Sequence, residues 1–224
     1  MHRWGDEVSR RAIGWAAGAA AAVLVAAGAV TYAVADSGSG SGSGDGKAAQ
    51  RTPSADSADA GFARDMAVHH QQAVEMSYIV RDHTKNEDVR RLAYDIAQTQ
   101  ANQRGMLLGW LDLWGLPKVS ADPPMTWMGM GGMVTAKDGS LMPGMATNTQ
   151  MKKLATLNGK QAEIFYLQLM TNHHKGGIHM AEGCVAKCTV GVEKRLAQGM
   201  VDAQQSELQV MAGMLKERGA KPLS

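Results

Sequence analysis

Two stretches of the chain present imidazoles and thioethers at one spacing: Met66, His69, His70 and Met76, then, 104 positions later, Met170, His173, His174 and Met180. Imidazole with thioether is a soft donor set, and such sets select Cu(I) or Ag(I) over hard ions. At about 100° of helical rotation per residue, each set falls on one stripe of a helix. Phe62 and Tyr166 lie in the same arcs, so the stripes coincide with the apolar faces expected to turn inward. His179 falls on the opposite side of its helix.

The correspondence extends well beyond the motif. It pairs Phe62 with Tyr166, Leu92 with Leu196, Gln100 with Gln204, Gln103 with Glu207, Gly109 with Gly213 and Leu111 with Leu215, which is the mark of a duplicated unit. On the partner helices the apolar stripes are read as Leu92, Ile96, Met106 and Trp110, and as Leu196, Met200, Val210 and Met214. Gln103 and Glu207 fall inside them. A polar group facing a core needs a hydrogen-bond partner, and the facing histidine pair of the same hairpin is the nearest candidate. Such a bond would fix an imidazole tautomer, as supporting groups do at metal sites. The competing reading is that the histidines only satisfy the core, with the methionines as plastic filler.

Between the duplicated units, Met125, Met128, Met130, Met133, Met142 and Met145 cluster in a Pro/Gly-rich stretch. Together with His179 they form a possible additional metal set, either as accessible thioethers that capture Cu(I) or as a lid folded onto the helices. Cys184 and Cys188 are the only cysteines and stand four apart near the end of a helix. That spacing suits a local disulfide outside the cytoplasm; a thiolate metal site or a redox pair is the alternative.

Helical periodicity places helices over about 61–84 and 87–114, and over about 154–187 and 193–217, with Gly115, Pro117 and Gly219 as stop signals. No strand run of useful length appears. Two hairpins bury their faces most simply as a four-helix bundle, so the fold class is all-α. The bundle domain is expected over 61–224, with a first repeat to 117, a Met-rich loop over 118–150 and a second repeat from 151. Residues 36–60 read as a flexible Gly/Ser-rich linker. Residues 12–35 carry no charge and follow Arg3, Arg10 and Arg11, so 1–35 reads as a signal peptide or a membrane anchor. Either places the rest of the chain outside the cytoplasm, with the membrane as a partner if the segment is kept.

The formal net charge of +2 is spread along the chain with no basic stripe, which argues against nucleic acid. A di-iron bundle uses Glu-x-x-His on two helices; the chain has none, so oxidase chemistry is not expected. Zinc would accept the histidines, but an apolar, Met-lined setting is not its usual one.

Phe62-x-x-x-Met66-x-x-His69-His70-x-x-Ala73-x-x-Met76, Met142-Pro-Gly-Met145 and Met170-x-x-His173-His174 continuing to His179-Met180-Ala181-Glu182 resemble the bacterial family catalogued as domain of unknown function 305. The resemblance spans about 61–219 and implies a ferritin-like helical bundle, exported or tethered. It also implies copper as the bound metal, since the CopM-type members bind copper and help resist it, with the two Met/His sets as ligands. Gly177 stands where the first unit has Ala73, and His179 where it has Glu75, so the two sites need not be equivalent. The reading is of a copper-binding protein rather than an enzyme. Its alternatives are a structural or partner-binding helical module, or a redox-active dithiol or metal-dependent oxidoreductase.

Overall fold

The computed structural model describes residues 52–132 and 137–223. The expected N-terminal helix, the linker up to residue 51 and Met133 lie outside the described residues. Within them the chain is all-helical: α1 (Ala58–His83), α2 (Glu87–Leu113), α3 (Asn148–Leu154), α4 (Gly159–Lys187) and α5 (Gly191–Glu217), with a 3-10 turn at Thr126–Met128. No described helix is long and apolar enough to cross a membrane.

Side-chain caps set several helix starts. Ser57 accepts from the Ala60 amide, so α1 takes in the last three residues of the expected linker, and Asp59 and Ala60 are already buried. Asn86 does the same for α2 through the Val89 amide. The helix expected from Leu154 divides instead. Thr147 and Gln150 form a reciprocal capping box that starts α3 within the expected loop. The chain then breaks at Ala155–Asn158, and α4 begins at Gly159, whose φ of +52° suits glycine.

α1 pairs with α2 and α4 with α5, each across a short turn, and the hairpins meet mainly through α1 and α4. Those two helices run antiparallel. Asp59 near the start of α1 accepts from the Thr189 and Val190 amides after the end of α4, Ser77 meets Tyr166, and Thr84 donates to Glu163 near the start of α4. Asp59 and Glu163 occupy equivalent positions 104 apart, so each half uses one carboxylate to hold the turn of the other.

The inward face of α2 is Leu92, Ile96, Gln100, Leu107 and Leu111; that of α5 includes Met200, Gln204, Met211 and Leu215. Met106 and Val210, expected in these stripes, are exposed at 42% and 44%. The buried positions are Leu107 and Met211, one residue on. Steps of four and three residues keep a face on one side of a helix, and Leu111 and Leu215 follow Leu107 and Met211 at that step. Truncating Leu111 to Ala costs about 2–5 kcal/mol.

The segment between the hairpins lies against them. Asp65 accepts from the Met125 amide at 2.7 Å and from the Trp127 indole at 2.9 Å. Gln72 exchanges two hydrogen bonds with the backbone of Ala146, at 2.9 and 2.6 Å. Met125 and Met142 are buried, and Met128, Met130 and Met145 pack against the same core. Among the described loop methionines the arrangement is a lid, not a free thioether arm.

Candidate metal centre

The crossing of α1 and α4 brings all four histidines of the duplicated motif together. His69, His70, His173 and His174 are fully buried. The His69 and His173 rings lie with centroids 3.8 Å apart and their planes tilted by 33°, and the His173 and His174 centroids are 6.4 Å apart. The antiparallel crossing also redistributes the methionines. Met66 and Met180 share the apolar cluster on one side of the quartet, and Met76 and Met170 share the one on the other. The four rings therefore form one cluster drawn from both repeats, where the spacing suggested one group per repeat.

Each of three rings has its Nε2 opposite an acceptor. His70 Nε2 is 2.9 Å from Gln103 Oε1, His174 Nε2 is 2.6 Å from Glu207 Oε2, and His173 Nε2 is 2.9 Å from the His69 carbonyl. A carbonyl or carboxylate can only accept, so Nε2 carries the proton in all three. In a neutral ring Nδ1 is then a bare lone pair. The Nδ1 atoms of His70, His173 and His174 are the ones left with no partner, as are both ring nitrogens of His69. Gln103 and Glu207, read from the stripes as partners of the facing histidines, meet His70 and His174.

Burial pushes the His69 and His70 imidazoles down to about 3. The Pro143 carbonyl near His69 opposes this without meeting either nitrogen at good hydrogen-bond geometry, and the neighbouring rings add to it at both. His173 is depressed well below its ordinary value, first by burial and then by His69. Neutral imidazole is the form that binds a metal.

The lid closes over this centre through equivalent positions of the two halves. Gln72 on α1 grips Ala146. Its counterpart on α4 is Gly176, where a Cβ would strike the Pro143 carbonyl, so glycine is what lets loop and helix backbones touch. Gly177 likewise admits the Gln204 amide: a Cβ there would sit 2.6 Å from Gln204 Oε1. Gln204 Oε1 and both amide atoms of Gln100 are buried without partners. Sequence reasoning paired Gln100 with Gln204 and passed over them as site residues. Their place in the stripes one turn before Gln103 and Glu207 was the available signal.

His179 projects to the surface as expected, where its Nε2 lies 3.5 Å from Met130 Sδ. Cys184 and Cys188 are joined in a disulfide with Cα atoms 4.8 Å apart. They are buried in the cluster that also holds Met66 and Met180. Among the described residues, the set of three His, Cys, Asp or Glu donors lying within 4.8 Å of one another is Cys184, Cys188 and Glu193. The four rings are thus not gathered as a three-nitrogen cage.

A family model, domain of unknown function 305 (DUF305), matches residues 59–215. The chain belongs to the DUF305 family. A presumed secreted DUF305 protein from Streptomyces coelicolor is 73% identical, with 76% of this chain and 99% of that one covered at a TM-score of 0.72. A DUF305 fragment from Deinococcus radiodurans is 28% identical, covering 71% and 96% at a TM-score of 0.59. CopM in its Cu(I)-bound form is 18% identical over 71% and 96%, with a TM-score of 0.54, so its likeness is one of fold. No curated protein matches the chain.

Proposed function

We propose that this DUF305 protein is an extracytoplasmic copper-binding protein that holds Cu(I), and by the same chemistry Ag(I), at the histidine–methionine centre between α1 and α4. It would buffer the ion or pass it on. The observation that carries the reading is the set of orphaned ring nitrogens, fully buried, with the four motif methionines buried in the apolar clusters of the same bundle. A buried acceptor without a partner costs about 1–3 kcal/mol, and a soft cation is a partner for such a nitrogen. Low-coordinate Cu(I) suits a site with few imidazoles and abundant thioether. The copper-bound CopM structures, one with Cu(I) and one with Cu(II), share the fold and support the choice of metal. The secreted relative supports the compartment. The four long helices are read as a duplicated ferritin-like bundle.

His179 and Met130 offer two soft donors at the surface and are assigned as a capture point on the way to the buried centre. Titration of Cu(I) into the purified protein under reducing conditions tests the reading. The protein should compete with a chelator at sub-micromolar affinity, and a His70→Ala/His174→Ala variant should lose that competition. Equal binding by both would sink it.

A second reading, a metal-free structural centre, is favoured by one contact: His173 Nε2 donates across the helix crossing to the His69 carbonyl. It predicts that Cu(I) leaves the melting temperature unchanged, whereas a ligand bound only by the folded state must raise it.

A further inference from the structure

The far end of α4 holds a second set of soft donors that the histidine centre does not use. Cys184 and Cys188 are 0% and 3% exposed, and Glu193, in the first turn of α5, is 0% exposed. One donor atom from each lies within 4.8 Å of the others. Neither oxygen of Glu193 makes a hydrogen bond of good geometry; burial, and then the neighbouring Asp59, push its carboxyl up to about 9, so it is protonated at neutral pH. A buried carboxyl group without a well-formed hydrogen bond is costly, and the other half fills the same three places differently. Counting back 104 positions gives Val80, Thr84 and Val89, all buried. The first half thus closes the equivalent hairpin end with two aliphatic side chains and a threonine, so the fold needs neither sulfur nor a carboxyl group there.

We propose that Cys184, Cys188 and Glu193 form a second, redox-gated copper site, closed while the disulfide is intact and able to hold one Cu(I) once it is opened. A pair of thiolates is the donor set that favours Cu(I) most strongly, and once the disulfide is opened Glu193 would supply an oxygen beside it. Opening requires an external dithiol. It delivers two electrons and two protons to the S–S bond, leaving two thiols on the protein, and itself closes to a disulfide. Binding of Cu(I) then releases the two thiol protons to solvent, and a third proton where the Glu193 carboxyl, protonated at neutral pH, joins as a carboxylate. In an oxidising compartment the site is shut and only the histidine centre is available; in a reducing environment the capacity of the chain rises by one ion. This site shares no ligand with the histidine centre and stands or falls separately.

The test uses the whole protein in two states: as oxidised, and after reduction by a dithiol that is removed anaerobically, with thiol content confirmed by mass spectrometry. Copper(I) is titrated into each while the near-ultraviolet thiolate-to-copper charge-transfer band is followed, a signal that imidazole and thioether ligands do not produce. The reduced protein should bind one more equivalent than the oxidised one and develop the band. A Cys184→Ser/Cys188→Ser variant should show neither and keep the oxidised protein's stoichiometry. Glu193→Gln should retain the band with affinity about 10-fold weaker or more. Equal stoichiometry in the two states, a band that survives loss of both cysteines, or a disulfide that the dithiol never opens would each overturn the proposal. Unchanged affinity in Glu193→Gln would remove Glu193 from the site.

Discussion

His70 in the first half and His174 in the second are both fully buried, and both direct Nε2 toward a residue 33 positions further on. In one case that residue is an amide, Gln103; in the other it is a carboxylate, Glu207, whose side chain keeps 23% of its surface in solvent. The amide holds the ring by dipole alone. The carboxylate also draws on the Nε2 proton, which makes the opposite nitrogen, Nδ1, the stronger donor to a metal. Duplication thus conserves the placement of an imidazole while its strength as a ligand is reset one helix away. On the proposed function, a centre with one stronger and one weaker half would suit directional transfer of an ion.

Removal of both rings is the severest way to break this comparison. His70→Ala/His174→Ala should weaken Cu(I) binding by on the order of 100-fold or more, read by chelator competition, and His174→Ala alone should cost more than His70→Ala alone. Equal losses from the two single variants would mean that the carboxylate has no effect on the metal. Next in size are the exchanges of the supporting group. Glu207→Gln should lower affinity about 10-fold and Gln103→Glu should raise it. A chain carrying both changes should then bind with its stronger and weaker halves reversed.

Acid titration probes what the halves share. In the folded protein burial holds His69 and His70 down to about 3 and His173 well below its ordinary value. The unfolded chain takes up protons at each below about pH 6.5. Their contribution to stability is therefore complete above that pH and is lost progressively as pH falls from about 6.5 toward 3. The melting temperature should drop across this window. His69→Gln should flatten the decline, and a melting temperature independent of pH between 7 and 4 would contradict neutral burial of the rings.

Much of this geometry could be read from the chain, and what could not has identifiable causes. The inward direction of His69, His70, His173 and His174 follows from helical period alone, and so does the placement of Gln103 and Glu207 opposite them. The antiparallel crossing of α1 and α4 does not, because it is fixed by contacts between residues far apart in sequence, such as Ser77 with Tyr166. That crossing exchanges the methionines between halves and makes one centre of two motifs. The lid was open to two readings because methionine serves equally as filler and as ligand. Its anchors, Asp65 and Gln72, look from the sequence like ordinary polar positions of a helix. The start of α3 was readable, since Thr147 and Gln150 stand at capping-box spacing, but the Pro/Gly-rich composition around them concealed it.

The smallest effect concerns Ala73 and Gly177, the equivalent positions one turn beyond His69 and His173. Gly177→Ala combines two opposing contributions. An alanine in a helix interior is favoured over glycine by about 1 kcal/mol. The new Cβ, however, would lie 2.6 Å from Gln204 Oε1 and force the buried amide aside, and overpacking of that kind costs about 1–3 kcal/mol. The net result should be a destabilisation of about 1 kcal/mol, read as a lowered denaturation midpoint with an unchanged m-value. In a Gln204→Ala background only the helix preference remains, so the same change should stabilise, and the sign reversal measures the coupling directly. Ala73→Gly in the first half should cost about 1 kcal/mol whatever stands at Gln100. If Gly177→Ala stabilises the wild-type chain as well, the Gln204 side chain has room to move, and the second half differs from the first in its ligand support alone.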